Sequence, residues 1–155
     1  MARIGALLLT LLLASCGFQP VHGPNGAGST LQNRVLVDEP DDRLGFQLVQ
    51  RLEERLGRGN DPAFRLAVDL NVAEEARAID PEGDIRRFHL IGTAAFTLSE
   101  TGSGTVIRAD NIENFVGYSA TGTTVATLAA RRDAQERLMS ILADQIVLRL
   151  QASAL

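Results

Sequence analysis

The sequence predicts an α+β fold, a two-layer sandwich in which two helices pack on one face of a roughly four-stranded, mostly antiparallel sheet. Three observations predict it: apolar residues alternate along successive central segments, a leucine recurs every fourth position before them, and the chain closes on a long helical pattern. The predicted order is strand, helix, three strands, helix. Because both helices need an apolar surface to cover, one sheet with helices on one face accounts for all elements.

The first two predicted elements precede residue 60. Leu31–Asp38 is β-prone, and the "EPDD" that follows supplies Pro40 and the candidate helix caps Asp41 and Asp42. The helix then carries an apolar stripe with a spacing of four, which Val49 widens: Leu44, Leu48, Leu52 and Leu56. Gly57 and Gly59 are typical of its end. We interpret the acidic residues around Pro40 as charges favoured at a helix N-terminus, in preference to a metal site.

Three strands are predicted between residues 64 and 118. The apolar face of the first carries Phe64, Leu66, Val68, Leu70 and Val72, and that of the second carries Phe88, Leu90, Ala94, Phe96 and Leu98. Turn formers connect the strands at Asp80–Asp84 and Glu100–Gly104. Thr105–Tyr118 alternates less clearly, which favours a third strand with a bulge. The three strands are expected to form an antiparallel meander.

The last predicted element is a helix from about Thr124 to Ala152 that can cover the sheet. Its broad apolar face is expected to hold Ala130, Ala134, Leu138, Ile141, Leu142 and Leu148. The opposite face of the sheet is predicted to carry mixed side chains, where a partner protein would dock: Arg65, Asp69, Asn71, Arg87, His89 and Thr93.

The first fifteen residues have the layout of a secretory signal that is removed. Arg3 supplies a positive charge, Ile4–Leu13 is apolar, and the small residues Ala14 and Ser15 follow. A helix of that apolar length reaches roughly 15 Å, about half the hydrocarbon core of a bilayer, so it is too short for a stable span. We therefore expect residues 1–15 to be a signal peptide.

The single cysteine of the chain follows this segment directly. Leu13-Ala14-Ser15-Cys16 resembles the bacterial lipobox, which implies cleavage between Ser15 and Cys16 and acylation of the cysteine. Each buried methylene contributes about 0.8 kcal/mol, so several acyl chains give stable anchoring. The alternative is a free or disulfide-forming thiol, but the chain offers no second cysteine for an intramolecular bridge. We expect residues 16–29 to form a lipidated flexible tether and residues 30–155 a single domain.

Composition argues against several other classes of function. The formal net charge of −4 gives no support for binding nucleic acid through its phosphates. All fifteen basic residues are arginine, which reflects either base composition of the genome or a use for bidentate anion contacts. The two histidines, His22 and His89, belong to no recognisable catalytic motif or metal site. The sequence therefore predicts a protein without enzymatic activity, metal or cofactor.

Two motifs give the chain a resemblance to a known family. Cys16-Gly17-Phe18-Gln19-Pro20 and the closing Asp-Ala-x-x-Arg-Leu of Asp133–Leu138, with this order of elements, resemble the lipopolysaccharide-assembly lipoprotein family LptE in its alphaproteobacterial form. The resemblance covers nearly the whole chain after Ser15. Two positions differ from common family residues, because His22 stands where Tyr is frequent and Val125-Ala126 where a Tyr-Ala pair is frequent.

The resemblance implies an outer-membrane lipoprotein on the periplasmic side. It would plug the large β-barrel LptD, support assembly of that barrel, bind lipopolysaccharide and assist its insertion into the outer leaflet. Gly17, in place of Asp, after the cysteine is typical of lipoproteins sorted to the outer membrane. The alternative is a structural lipoprotein resembling a pilotin, which serves another outer-membrane channel and has no lipopolysaccharide role.

Two arginines are candidate contacts for the phosphates of lipid A. Arg65 and Arg87 share the outward parity of their strands and are expected to lie near each other if those strands pair. The alternatives are that both are solvated or contact the barrel wall. Arg131 and Arg132 form a second candidate pair, although adjacent arginines early in a helix usually face water.

Overall fold

The computed structural model describes residues 30–79 and 85–152, which include all the secondary-structure elements discussed below. The predicted signal peptide, Cys16, the tether and the turn at Asp80–Asp84 lie outside the described residues. Within them the order is strand, helix, three strands, helix, as predicted. The fold is α+β, with a four-stranded mixed sheet and both helices on one face.

The first strand is shorter than the sequence predicts. The chain makes a helical turn at Thr30 and Leu31, and strand β1 spans only Val35–Val37. Leu31 is fully buried in the core although it is not in a strand. Asn33 adopts a positive φ of 58°, a conformation that asparagine tolerates better than most residues, and this turns the chain before β1.

Helix α1, Arg43–Leu56, has the ends that the sequence predicts. Asp42 is the N-cap, and its carboxylate Oδ1 accepts a 2.7 Å hydrogen bond from the backbone N–H of Gly45. Gly57 is the C-cap, with a φ of 75° that favours glycine. The leucines at positions 48, 52 and 56 are buried. Their spacing places them on one stripe of the helix, facing the sheet and the second helix.

The sheet has the order β1-β2-β3-β4, where β2 is Phe64–Ile79, β3 is Ile85–Glu100 and β4 is Val106–Ser119. The last three strands form the predicted antiparallel meander. β1 pairs in parallel with the beginning of β2, with Val35 opposite Phe64. The predicted bulge in the third long strand is confirmed, because the β3–β4 register shifts between Leu98 and Ser99. A second irregularity interrupts β2 around Arg77.

Helix α2, Thr124–Ala152, has the predicted bounds and packs on β3, β4 and α1. Its buried residues are Ala134, Leu138, Met139, Leu142, Ala143, Ile146, Val147 and Leu150. The prediction that Leu148 belongs to this face is wrong, because its side chain is 63% exposed. Arg55 and Asp144 form an ion pair that joins the two helices. The core therefore lies between one sheet face and this helix pair.

Candidate interaction surface

Within residues 30–79 and 85–152, no helix or strand covers the sheet face turned away from the helices. On β2 it presents the odd-numbered residues, and the register aligns them with odd-numbered residues of β3 and β4. The side chains predicted to point this way do so by that parity: Arg65, Asp69, Asn71, Arg87, His89 and Thr93. We call this surface the outer face.

Short side chains leave an open depression of about 670 Å³ on the outer face, lined by Ala67, Ala95 and Ala109 among others. Ala67 of β2 lies opposite Thr97 of β3, which lies opposite Ala109 of β4. Two residues further along β2, Asp69 lies opposite Ala95 of β3. Short side chains let another backbone or sheet approach closely. The outer face can thus accept an extended or planar partner without rearrangement.

One end of the outer face is aromatic. The rings of His89 and Phe115 stack with centroids 4.9 Å apart and an interplanar angle of 17°. Gly117 lies opposite His89, and a Cβ at that glycine would stand 3.5 Å from the imidazole, so the ring covers the glycine at ordinary contact distance. Phe115 is 59% exposed, so its ring is available for contact at this end of the face.

Arg65 lies at the opposite end of the outer face and already has an anionic partner. Its Nε donates a 2.6 Å hydrogen bond to Oδ1 of Asp38, in the loop that precedes α1. The Asp38 carboxylate, through this hydrogen bond, raises the pKa of the Arg65 guanidinium further above its ordinary value. The contact holds the guanidinium away from an incoming phosphate.

The expectation that Arg65 and Arg87 lie near each other is wrong. The strands do pair, but the antiparallel register places Arg65 opposite Ser99 and Arg87 opposite Ala78. Along β3, roughly a dozen residues separate Arg87 from Ser99, the partner of Arg65, so the two arginines are about 40 Å apart along the strands. The two arginines cannot bind one phosphate together, although each remains on the outer face.

A cleft beside the first turns of α2 was not predicted from the sequence. A groove of about 370 Å³ is lined by Phe88, Tyr118, Leu128 and Arg131, among others. The rings of Phe88 and Tyr118 stack at 5.3 Å, and Arg131 forms a 2.7 Å ion pair with Glu74 of β2. Burial, and then the Glu74 carboxylate, raise the pKa of the Tyr118 hydroxyl. The expectation that Arg131 faces only water is therefore wrong.

A second charged cluster joins the C-terminal turns of α2 to β4. Asp110 accepts a 2.7 Å contact from Arg108 and a 3.4 Å contact from Arg149. The pKa of the Asp110 carboxyl is lowered below its ordinary value, first by the Arg108 hydrogen bond and then by the backbone N–H of Asn111. Because the pKa of Asp110 is lower in the folded state than in the unfolded state, its ionised carboxylate stabilises the fold at pH values above the unfolded pKa. This stabilisation is lost as the pH falls through the folded pKa.

This direction gives a pH prediction for Asp110→Asn. At neutral pH the variant is expected to melt at a lower temperature than the original chain, because it loses a charged partner for Arg108 and Arg149. As the pH falls below about 4, the ordinary pKa of an unfolded aspartate, the two melting temperatures are expected to approach each other. They are expected to coincide only below the lowered folded pKa, where Asp110 is protonated in both states. Circular dichroism melts across this pH range measure the difference. A difference that stays constant down to the lowest pH would contradict the assignment.

Comparison with known proteins agrees with this architecture. The family model described as "LptE: Lipopolysaccharide-assembly" matches residues 29–150. The chain belongs to the LptE family. Membership gives this LptE-family chain a general role as a lipopolysaccharide-assembly lipoprotein, and the resemblance seen in its sequence motifs is confirmed. No curated protein matches the chain.

Solved structures share the fold of this LptE-family chain. A protein from Caulobacter crescentus CB15 is 24% identical with a TM-score of 0.69, and the match covers 81% of this chain and 93% of that one. Rare lipoprotein B from Shewanella oneidensis is 18% identical, with a TM-score of 0.58 and coverage of 79% and 94%. A minor lipoprotein from Acinetobacter baumannii is 19% identical, with a TM-score of 0.56 and coverage of 79% and 91%.

Membrane-spanning helices and metal-binding clusters are both absent from the described residues. None of their helices combines the length and apolarity needed to cross a bilayer. Their His, Cys, Asp and Glu side chains form no group able to hold a metal ion.

Proposed function

We propose that this chain is an outer-membrane lipoprotein that plugs an LptD-type β-barrel, supports its assembly and assists insertion of lipopolysaccharide into the outer leaflet. The observation that carries the proposal is the family match over residues 29–150. The proposed role is not enzymatic. It requires a rigid body of suitable size, a surface for the barrel and an anchor at the membrane.

The dimensions of the fold support a plug. β2 and β3 have 16 residues each, or about 50 Å of strand, and the 29 residues of α2 span about 43 Å. A long two-layer body with a shared core fits along the axis of a wide barrel, which leaves an aqueous channel unless it is filled. The outer face and its exposed Phe115 supply contact area for the surrounding wall.

The anchor is proposed to be Cys16, which lies outside the described residues. Lipid chains on this cysteine would hold the domain on the periplasmic side of the outer membrane while the tether gives it reach. Cys16→Ser is expected to abolish labelling by radioactive fatty acid and to leave the melting temperature unchanged, because every residue of the described core lies between Leu31 and Leu150. A Cys16→Ser protein that still takes up label would contradict the anchor.

Affinity purification of a tagged copy from membranes tests the proposed partner. We expect an LptD-type barrel in the eluate, whereas recovery of a secretin would favour the pilotin alternative. Phe115→Asp is expected to reduce the recovered barrel severalfold. Phe46→Asp is the matched control, since Phe46 is 61% exposed but lies on α1, away from the outer face. Equal recovery with both variants would contradict docking through the outer face.

We propose that Arg65 and Arg87 each contact lipopolysaccharide independently of the other. We expect Arg87→Ala to weaken binding of purified lipopolysaccharide about tenfold, the loss typical of one charged hydrogen bond. Arg65→Ala is expected to have a smaller effect, because Asp38 already holds its guanidinium. Fluorescence titration of both variants measures the difference. Unchanged affinity in the double variant, with the fold intact, would remove both residues from the site.

A further inference from the structure

Strand β2 has a long edge that β1 leaves unpaired. β1 reaches only from Phe64 to Leu66 of β2. The backbone N–H of Phe64 donates to Arg34, and the carbonyl of Leu66 accepts from Asp38, so the even-numbered residues of β2 direct their backbone groups towards this edge. The odd-numbered residues direct theirs towards β3.

The open part of this edge runs through Leu70, Val72, Glu74 and Ala76. The four-stranded sheet of the described residues places no strand beside them. Their outward N–H and C=O groups form a template for another strand. The irregularity at Arg77 ends the regular stretch, because an extra residue there disrupts the ladder.

We propose that this edge pairs with the same edge of a second copy of the chain, antiparallel, around a two-fold axis at Ala73. The pairing would form about eight backbone hydrogen bonds between the outward residues of the two copies. It goes beyond the proposed function, since it concerns association of the chain with a second copy of itself. It also covers an edge that would otherwise recruit unrelated strands.

Charge complementarity selects this axis. With Ala73 at the centre, Asp69 comes level with Arg77 of the second copy, the residue directly after the last regular one, Ala76. The symmetry forms this charge pair twice. An axis at residue 72 would place Asp69 opposite Glu75 of the second copy. An axis at residue 74 would place the Glu74 residues of the two copies opposite each other. Like charges directly opposite each other destabilise a strand pair.

The side chains needed for these ion pairs are on one face. Arg77 forms a 2.7 Å contact with Glu75, two residues away, which places it on the outer face with Asp69. Asp69 is exposed and forms no ion pair with another described residue. The guanidinium of Arg77 has five N–H donors, so it can hold Glu75 and a second carboxylate together.

Disulfide trapping tests the axis directly. Directly opposed residues in a non-hydrogen-bonded antiparallel pair have Cα atoms about 4.5 Å apart, within the range of a disulfide. The test variant is Ala73→Cys in the chain from residue 16 with Cys16→Ser, which keeps the whole described core and leaves one cysteine. Ala67→Cys is the control on the same strand and face. Faster dimer formation by Ala73→Cys on a non-reducing gel is expected, and equal rates would overturn the proposal.

Charge-reversal variants provide a second test of the dimer that needs no cysteine. In sedimentation velocity experiments over increasing protein concentration, Asp69→Arg and Arg77→Asp are each expected to weaken the dimer about tenfold. The double reversal Asp69→Arg with Arg77→Asp is expected to restore it, because the ion pairs re-form with exchanged signs. A chain that stays monomeric at all concentrations, or a dimer indifferent to all three variants, would overturn pairing through this edge.

Discussion

Truncation of Leu142 to alanine is expected to lower the free energy of unfolding by about 2–5 kcal/mol, the range for a buried leucine that leaves a cavity. Leu142 is fully buried on α2. Its Cδ1 lies 2.9 Å from the position that a Cβ would take on Gly92, so the leucine fills the space above this glycine of β3. A domain of this size has a stability of about 5–15 kcal/mol, which makes the loss a large fraction of the whole.

Urea unfolding followed by circular dichroism measures this change. Leu148→Ala is the matched control, since it makes the same truncation on the same helix at a side chain that is 63% exposed. We expect the control to change the free energy of unfolding by less than about 0.5 kcal/mol. Similar losses in both variants would show that α2 packs through a different face.

The long strands and the ends of α1 were predictable because the patterns that determine them lie among residues close together in sequence. Alternation along β2 and β3 follows from one buried sheet face, and any residue of that pattern can be assigned from its neighbours in sequence. The ends of α1 were equally local, since Asp42 and Gly57 act on backbone groups within a few residues. Leu148 was assigned to the wrong face of α2, although the buried stripe repeats every fourth residue through Leu142, Ile146 and Leu150. Leu148 is two residues away from that stripe, about 200° around the helix.

Register and partners depend on contacts that are distant in sequence. Parity placed Arg65 and Arg87 on one face, but the separation between them depends on where the hairpin turns. β1 ends at Val37, and the side chain of Asp38 directly after it forms an ion pair with Arg65 of β2. The Glu74–Arg131 pair joins residues whose proximity follows only from how α2 lies on the sheet. No pattern within either segment predicts such contacts.

Replacing Gly59 with alanine is expected to cost about 3 kcal/mol, towards the upper end of the range for overpacking. A Cβ at this position would stand 1.8 Å from the carbonyl oxygen of Asn33. The obstacle is backbone, so no change of rotamer relieves it, and the segment before β1 must move away from the end of α1.

The sequence predicted Gly59 as a helix stop, but its structural role is this close approach. Among the described glycines only Gly57 and Gly104 have positive φ, so strain of the backbone conformation does not contribute at Gly59. Gly102→Ala is the control, because nothing lies within 4 Å of its Cβ position. Denaturant unfolding of both variants separates the contact from the general cost of replacing a glycine. A Gly59→Ala protein as stable as the control would mean that the Asn33 segment moves away from Gly59 at no cost, which would contradict a structural role for this close approach.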